Sequence, residues 1–219
     1  MLKSIKNIVR KIPYTQRCYH FLLDYLEITD NHSEKPVDPH EEYFRLHKIK
    51  ENNLRLLAEQ YACEILIETG TYYGQMVEAM RNEFKEIYSI ELSEKLFLDA
   101  ENKFAEYGHI HLFHGDSAVV LPEIIPKMDR RALFWLDGHY SAGDTACGEK
   151  QTPVFEELDS LTASPDYGHV IVIDDARLFD GTDDYPTLSD LCVFLKNKGY
   201  LEHHKVTVVD DAIRILPTI

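Results

Sequence analysis

The chain has 219 residues, 44% of them hydrophobic, with 38 acidic against 23 basic side chains and a formal net charge of −15. That length closes a full core without disulfides or structural metal, and the acidity excludes a nucleic-acid partner, because phosphate binding needs a basic face. No apolar run approaches the roughly 20 residues of a membrane span. Cys18, Cys63, Cys147 and Cys192 form no C-x-x-C pair, so neither a zinc framework nor a disulfide scaffold is expected in what reads as a cytoplasmic globular protein.

In chain order, residues 1–23 come first and carry Lys3, Lys6, Arg10, Lys11 and Arg17 and no acid. Leu2, Ile5, Ile8, Val9 and Ile12 recur at helical spacing up to Pro13, which reads as a short amphipathic basic helix. Such a helix either docks on its own domain or attaches to an anionic surface, here peripheral contact with the inner face of a membrane through residues 1–12. Residues 29–41 are polar and carry two prolines, so they read as a linker. The division is therefore an N-terminal helical arm and linker over 1–41 and one domain over 42–219; homo-oligomerisation stays open.

The domain opens on a helix over 42–61 and then alternates. Apolar runs at 64–68, 86–92, 109–114, 132–137 and 169–175 read as strands, with helices expected over 75–84, 93–107, 154–161 and 187–198. Strands alternating with helices mean a parallel sheet covered on both faces. The fourth and fifth runs are apolar almost throughout, as central parallel strands are. Residues 205–209 and 212–216 are separated only by Asp210-Asp211, too short for a crossover, and read as an antiparallel hairpin. The expected fold class is α/β, a Rossmann-like three-layer sandwich with a mostly parallel seven-stranded sheet ending in that hairpin.

The turn after the first strand reads Glu68-Thr69-Gly70-Thr71-Tyr72-Tyr73-Gly74. A dinucleotide turn would carry a glycine where Tyr72 stands, which disfavours a nicotinamide cofactor. What remains is an acid at the strand end, where it can accept from a cationic amino group, and Gly70, which lets a ligand approach bare backbone. Glu91 ends the second strand, where an acid is placed to hold ribose hydroxyls. Gly115-Asp116-Ser117 follows the third strand, where an acid and a hydroxyl can reach an adenine amino group. Three acids at successive strand C-termini point to one cleft.

This order of strands, the terminal hairpin and these motifs resemble a class I S-adenosylmethionine-dependent methyltransferase over residues 45–219. The family's E/D-x-G-x-x-x-G pattern is matched by Glu68, Gly70 and Gly74. The resemblance implies that S-adenosylmethionine is the cofactor, held by Glu68 and Gly70 at the methionine moiety, Glu91 at the ribose, and Asp116 with Ser117 at the adenine, with Thr71 and Gly74 of the turn also cofactor-binding.

A second group of acids follows strands four and five. Asp137 begins the segment Asp137-Gly138-His139-Tyr140, and Asp174-Asp175 precedes Ala176-Arg177. Carboxylates crowded beyond neighbouring strand ends repel unless protonated or bound to a cation, and hard oxygen ligands suit a divalent ion such as Mg²⁺. The pattern is similar to metal-dependent O-methyltransferases, and the Asp-Asp pair leans toward the macrolide-sugar type. That resemblance implies Asp137, Asp174 and Asp175 as metal ligands, Asp137 thereby sharing in catalysis. His139 is the candidate general base, since its unperturbed pKa of about 6.5 suits proton removal near neutrality. Tyr140 and Arg177 are candidate substrate-binding residues, and the polar stretch 141–153, which contains Cys147, is a candidate lid.

The expected activity is transfer of a methyl group from S-adenosylmethionine to a hydroxyl of a sugar or glycan precursor, assisted by a divalent cation. A small phenolic or natural-product acceptor is the alternative acceptor class. A non-catalytic cofactor-binding module and a metal-dependent hydrolase using the three aspartates are the rival readings.

Overall fold

A computed structural model describes residues 38–138, 152–182 and 184–218. The basic segment 1–12, the linker up to residue 37, His139, Tyr140, Cys147 and the lid stretch up to residue 151 lie outside the described residues. None of the helices among the described residues is long and apolar enough to cross a membrane.

The first described helix, α1 (Pro39–Tyr61), begins three residues inside the segment expected to be linker. Proline suits a first helical position, where its missing N–H has no partner to lose. Glu41 and Glu42 in the first turn favour the positive end of the helix dipole. Six further elements then alternate: β1 (Ile65–Thr69), α2 (Gln75–Met80), β2 (Glu86–Glu91), α3 (Glu94–Phe104), β3 (Ile110–His114) and α4 (Ser117–Ile124). The second half comprises β4 (Ala132–Leu136), α5 (Val154–Thr162), β5 (Val170–Ile173), α6 (Leu188–Asn197), β6 (His204–Val209) and β7 (Ala212–Pro217).

Helix α4 is not foreshadowed by periodicity, because Pro122 stands inside it and its apolar residues are not confined to one stripe. It forms nonetheless: Asp116 caps it by accepting from the Ala118 amide at 2.9 Å, and Leu121 and Ile124 are buried beneath it. Conversely, α2 ends at Met80, short of the expected residue 84, although Phe84 is still buried.

The sheet has seven strands in the order β3-β2-β1-β4-β5-β7-β6. The first five are parallel, and β7 pairs antiparallel with both β5 and β6. The β6–β7 turn is made by Asp210 and Asp211, both at positive φ (52° and 60°), the backbone of a tight hairpin whose twist matches its strands. Side chains on the central strands alternate between two cores. Ile65, Ile67, Phe134, Leu136, Ile171 and Ile173 pack with Leu121, Leu158 and Leu191 on one face. Leu66, Leu133, Trp135, Val170 and Val172 pack with Leu54, Leu57, Val77 and Phe104 on the other. This two-sided burial is why the strands read as unbroken apolar runs, and it gives the three layers expected. On α1, Leu54 and Leu57 are buried while Leu56 is 62% exposed.

The chain leaves the edge strand β3 and re-enters on the far side of β1 as β4. Strand order therefore reverses between β1 and β4, and the crevice beyond their C-terminal ends is where open α/β sheets bind ligands.

Candidate active site

The register of β1 and β4, with Thr69 opposite Leu136, sets Gly70 beside Asp137. Gly70 has φ +85°, and a Cβ built on it would lie 2.6 Å from the Asp137 carbonyl oxygen. Only glycine meets both conditions, so the turn is bare backbone pressed against the end of β4. Gly138 is as constrained from the other side: its amide donates to Thr69 Oγ1 at 3.2 Å, and a Cβ there would stand 2.9 Å from that oxygen. Gly74, at φ +66°, precedes α2, and a Cβ there would run into the Phe104 ring. The Gly70 and Thr71 amides both donate to the Ile90 carbonyl, at 2.9 and 3.2 Å, folding the turn over the end of β2.

Glu68 is 2% exposed and accepts from Ser89 Oγ at 2.5 Å, and Ser89 Oγ lies 2.6 Å from Thr71 Oγ1. Burial pushes the Glu68 carboxyl up to about 8; the Ser89 hydrogen bond opposes the rise, and the charges of Asp137 and Glu91 add to it. Ser89 was not singled out from the sequence, although a hydroxyl within a strand of buried residues is a signal for a buried polar partner.

Glu91 ends β2 as expected, and its two oxygens accept from the Tyr72 amide at 2.7 Å and the Ser93 amide at 2.8 Å. Tyr72 takes a positive φ of 50°, sparsely populated for a bulky residue, and so aims its amide at this carboxylate. Each Glu91 oxygen keeps a lone pair for a ligand hydroxyl. Asp116 uses Oδ1 to cap α4, and Ser117 is buried in the first turn.

The residues expected to hold S-adenosylmethionine thus lie along the C-terminal ends of β1, β2 and β3. They fit the group: a bare-backbone turn at Gly70, a buried carboxyl able to ionise beside a cation, and an oriented carboxylate one strand away.

The divalent-ion centre expected at Asp137, Asp174 and Asp175 is not seen among the described residues: no three His, Cys, Asp or Glu side chains there converge to hold a metal ion. The three acids do stand at adjacent strand ends, with the Asp174 amide donating to the Leu136 carbonyl at 3.0 Å. They meet a side-chain cation instead. Lys50, on the inner side of α1, brings Nζ to 2.5 Å from Asp174 Oδ2 and 3.9 Å from Asp175 Oδ1. Burial by itself would lower the Lys50 ammonium pKa, but Asp174, Asp175 and Asp137 outweigh it and hold it above the ordinary lysine range.

Asp175, at φ 55°, turns toward Arg177, whose Nη1 donates to Asp175 Oδ1 at 2.7 Å and also to Asp211 on the β6–β7 turn. Arg177, a candidate for substrate binding, therefore ties the end of β5 to the terminal hairpin. The same pairing raises its pKa against the cost of burial.

Beside these acids a cleft is lined by Leu136, Gly138, Val154, Glu157, Phe179 and Tyr185. Phe179 and Tyr185 meet edge to face with centroids 5.6 Å apart. Glu157 is 2% exposed and turns toward Gly138: a Cβ built there would lie 3.5 Å from its Oε1. Neither Glu157 nor Lys50 was anticipated. Glu157 had a signal, an acid within the inward stripe Val154, Leu158 and Leu161 of α5. Lys50 had none, since lysines at exposed and inward helix positions read alike.

No protein-family model and no curated protein sequence matches the chain. Solved structures do match it. The O-methyltransferase from Bacillus cereus in complex with SAH shares 15% identity over 91% of this chain and 90% of that one, with a TM-score of 0.55. The O-methyltransferase TomG from Streptomyces achromogenes, involved in tomaymycin synthesis and in complex with SAM, shares 15% identity over 92% and 90%, at 0.52. The N-methyltransferase NodS from Bradyrhizobium japonicum WM9 shares 12% over 80% and 98%, at 0.53. These likenesses establish the Rossmann-like methyltransferase fold, as the motifs at Glu68, Gly70, Gly74 and Glu91 implied.

Proposed function

We propose that this protein is an S-adenosylmethionine-dependent O-methyltransferase acting on a hydroxyl of a sugar or glycan precursor. The observation that carries the reading is the Gly70 turn, packed without room for a Cβ against the end of β4 and flanked by buried Glu68 and oriented Glu91. When bound, the cofactor supplies an electrophilic methyl whose carbon–sulfur bonding pair returns to sulfur as the new carbon–oxygen bond forms. The chain's own part is to hold and orient. Glu68, with Gly70, Thr71 and Gly74, would face the methionine end, Glu91 would accept from the ribose hydroxyls, and Asp116 with Ser117 would face the adenine. The acceptor's hydroxyl proton goes to a base; His139, two residues beyond Asp137, is the candidate by chain position and lies outside the described residues. Because the sulfonium is already reactive, positioning and deprotonation account for much of the acceleration.

A polyhydroxylated acceptor is supported by the acidic character of the crevice beyond β4 and β5, where Asp137, Asp174 and Asp175 stand at adjacent strand ends. The edge-to-face pair Phe179 and Tyr185 in the adjoining cleft favours the second reading, a small phenolic acceptor. Titration calorimetry with S-adenosylmethionine tests the cofactor: stoichiometric binding is expected, and no heat at any concentration overturns the methyltransferase reading. Transfer of labelled methyl to panels of sugars, glycan precursors and phenols then separates the acceptor classes. Binding without turnover on any panel would favour a non-catalytic module.

A further inference from the structure

We infer that Lys50 is a built-in monovalent cation that takes the place of a divalent metal at the acid cluster after β4 and β5. Carboxylates on adjacent strand ends in a half-buried crevice need positive charge close by. The fold can meet that need with an ion or with a side chain, and the geometry points to a side chain. Lys50 Nζ lies 2.5 Å from Asp174 Oδ2, and Asp174 itself is 2% exposed. A magnesium ion would demand oxygen ligands at about 2.0–2.1 Å in octahedral array. Seated on the same carboxylate, it would be forced against the ammonium, like charge on like charge. The second acid is engaged as well: Asp175 Oδ1 accepts from Arg177 Nη1 at 2.7 Å, and the same guanidinium reaches Asp211.

The placement is built from three elements. Helix α1 packs Leu54 and Leu57 into the core under Trp135, and Lys50, one turn earlier, stands with Nζ 6.0 Å from the Trp135 ring centroid. An ammonium differs from a metal ion in what it can offer an acceptor: hydrogen bonds from N–H, with no open coordination site. Lys50 is then a positioning residue that holds Asp174, and its bearing on catalysis rests on the methyl-transfer reading, whereas its occupation of the cation position does not.

Manganese binding tests the inference on the full chain, by loss of the free-ion Mn²⁺ paramagnetic resonance signal, with no acceptor needed. Wild type and Lys50→Arg are expected to bind no Mn²⁺ that Asp174→Asn removes. Lys50→Met is expected to gain Mn²⁺ affinity by roughly tenfold or more, as removal of one adjacent positive charge implies, and Lys50→Met with Asp174→Asn to lose that gain. A wild-type Mn²⁺ site abolished by Asp174→Asn overturns the inference, and so does a folded Lys50→Met protein with no gain. If Lys50→Met does not fold, wild type and Lys50→Arg decide the matter by the same criterion. Calorimetry with S-adenosylmethionine on the same samples keeps the two readings apart, since its failure would strike the methyltransferase reading and leave the Mn²⁺ result standing.

Discussion

Gly70 and Glu68 stand two residues apart and illustrate opposite kinds of legibility. Gly70 was readable from spacing alone, and the structure supplies the cause: φ +85° and a neighbouring carbonyl 2.6 Å from any Cβ. Gly70→Ala is therefore expected to weaken cofactor binding about tenfold or more through local backbone strain of about 1–3 kcal/mol. Calorimetry would read this loss while circular dichroism reports an unchanged fold. The position of Glu68 was readable, but its protonation was not, because burial is a tertiary property. Its carboxyl lies at about 8 against an ordinary 4.5, so the folded protein holds an extra proton between those values. Stability contributed by this group thus falls as pH rises through that window. A cation bound beside Glu68 favours the carboxylate, so cofactor binding should release a proton there, and affinity should rise with pH toward 8. Calorimetry in buffers of different ionisation enthalpy would detect the proton. Glu68→Gln should flatten the pH dependence, and an unchanged slope would refute the assignment.

Among the elements, those with a clean period were legible and those without were not. The strands announce themselves because both faces are buried. Helix α4 is hidden by Pro122, and only the Asp116 cap and the pocket for Leu121 explain why the chain coils there. Helix α6 shows the opposite case, an end written in the sequence: Thr187 and Asp190 form a reciprocal capping box, each side chain accepting from the other's backbone amide at 3.1 Å. Thr187→Ala should cost about 1 kcal/mol of unfolding free energy in denaturant titration. Leu191 and Leu195 of α6 share a core with Phe179 and Tyr185 of the cleft, and Thr187 bridges to Asp180, so some loss of acceptor turnover should accompany the loss of stability.

At the scale of the whole molecule, one terminus binds the architecture together and the other carries charge of opposite sign to the rest. The C-terminal hairpin closes the sheet and also supplies Asp211, so its loss would remove one carboxylate partner of Arg177 as well as expose β5. The basic residues of 1–12 stand against a chain of net charge −15. Deleting them should leave methyl transfer to a soluble acceptor unchanged and reduce co-sedimentation with anionic vesicles. Equal vesicle binding by both forms would remove the membrane proposal.

What the sequence by itself determined is whatever rests on local spacing: the alternation of strands and helices, the hairpin at Asp210-Asp211, the glycine turn, and the acids Glu68, Glu91, Asp116, Asp137 and Asp174 at strand ends. Apolar period and turn chemistry are properties of neighbouring residues, and a parallel sheet delivers all its strand ends to one edge. The tertiary structure alone decided which charges meet there. A buried carboxylate requires a counter-charge but not from any particular place in the chain. Asp174 finds its own in Lys50, 124 residues away, where a reading of the acids alone expected a metal ion.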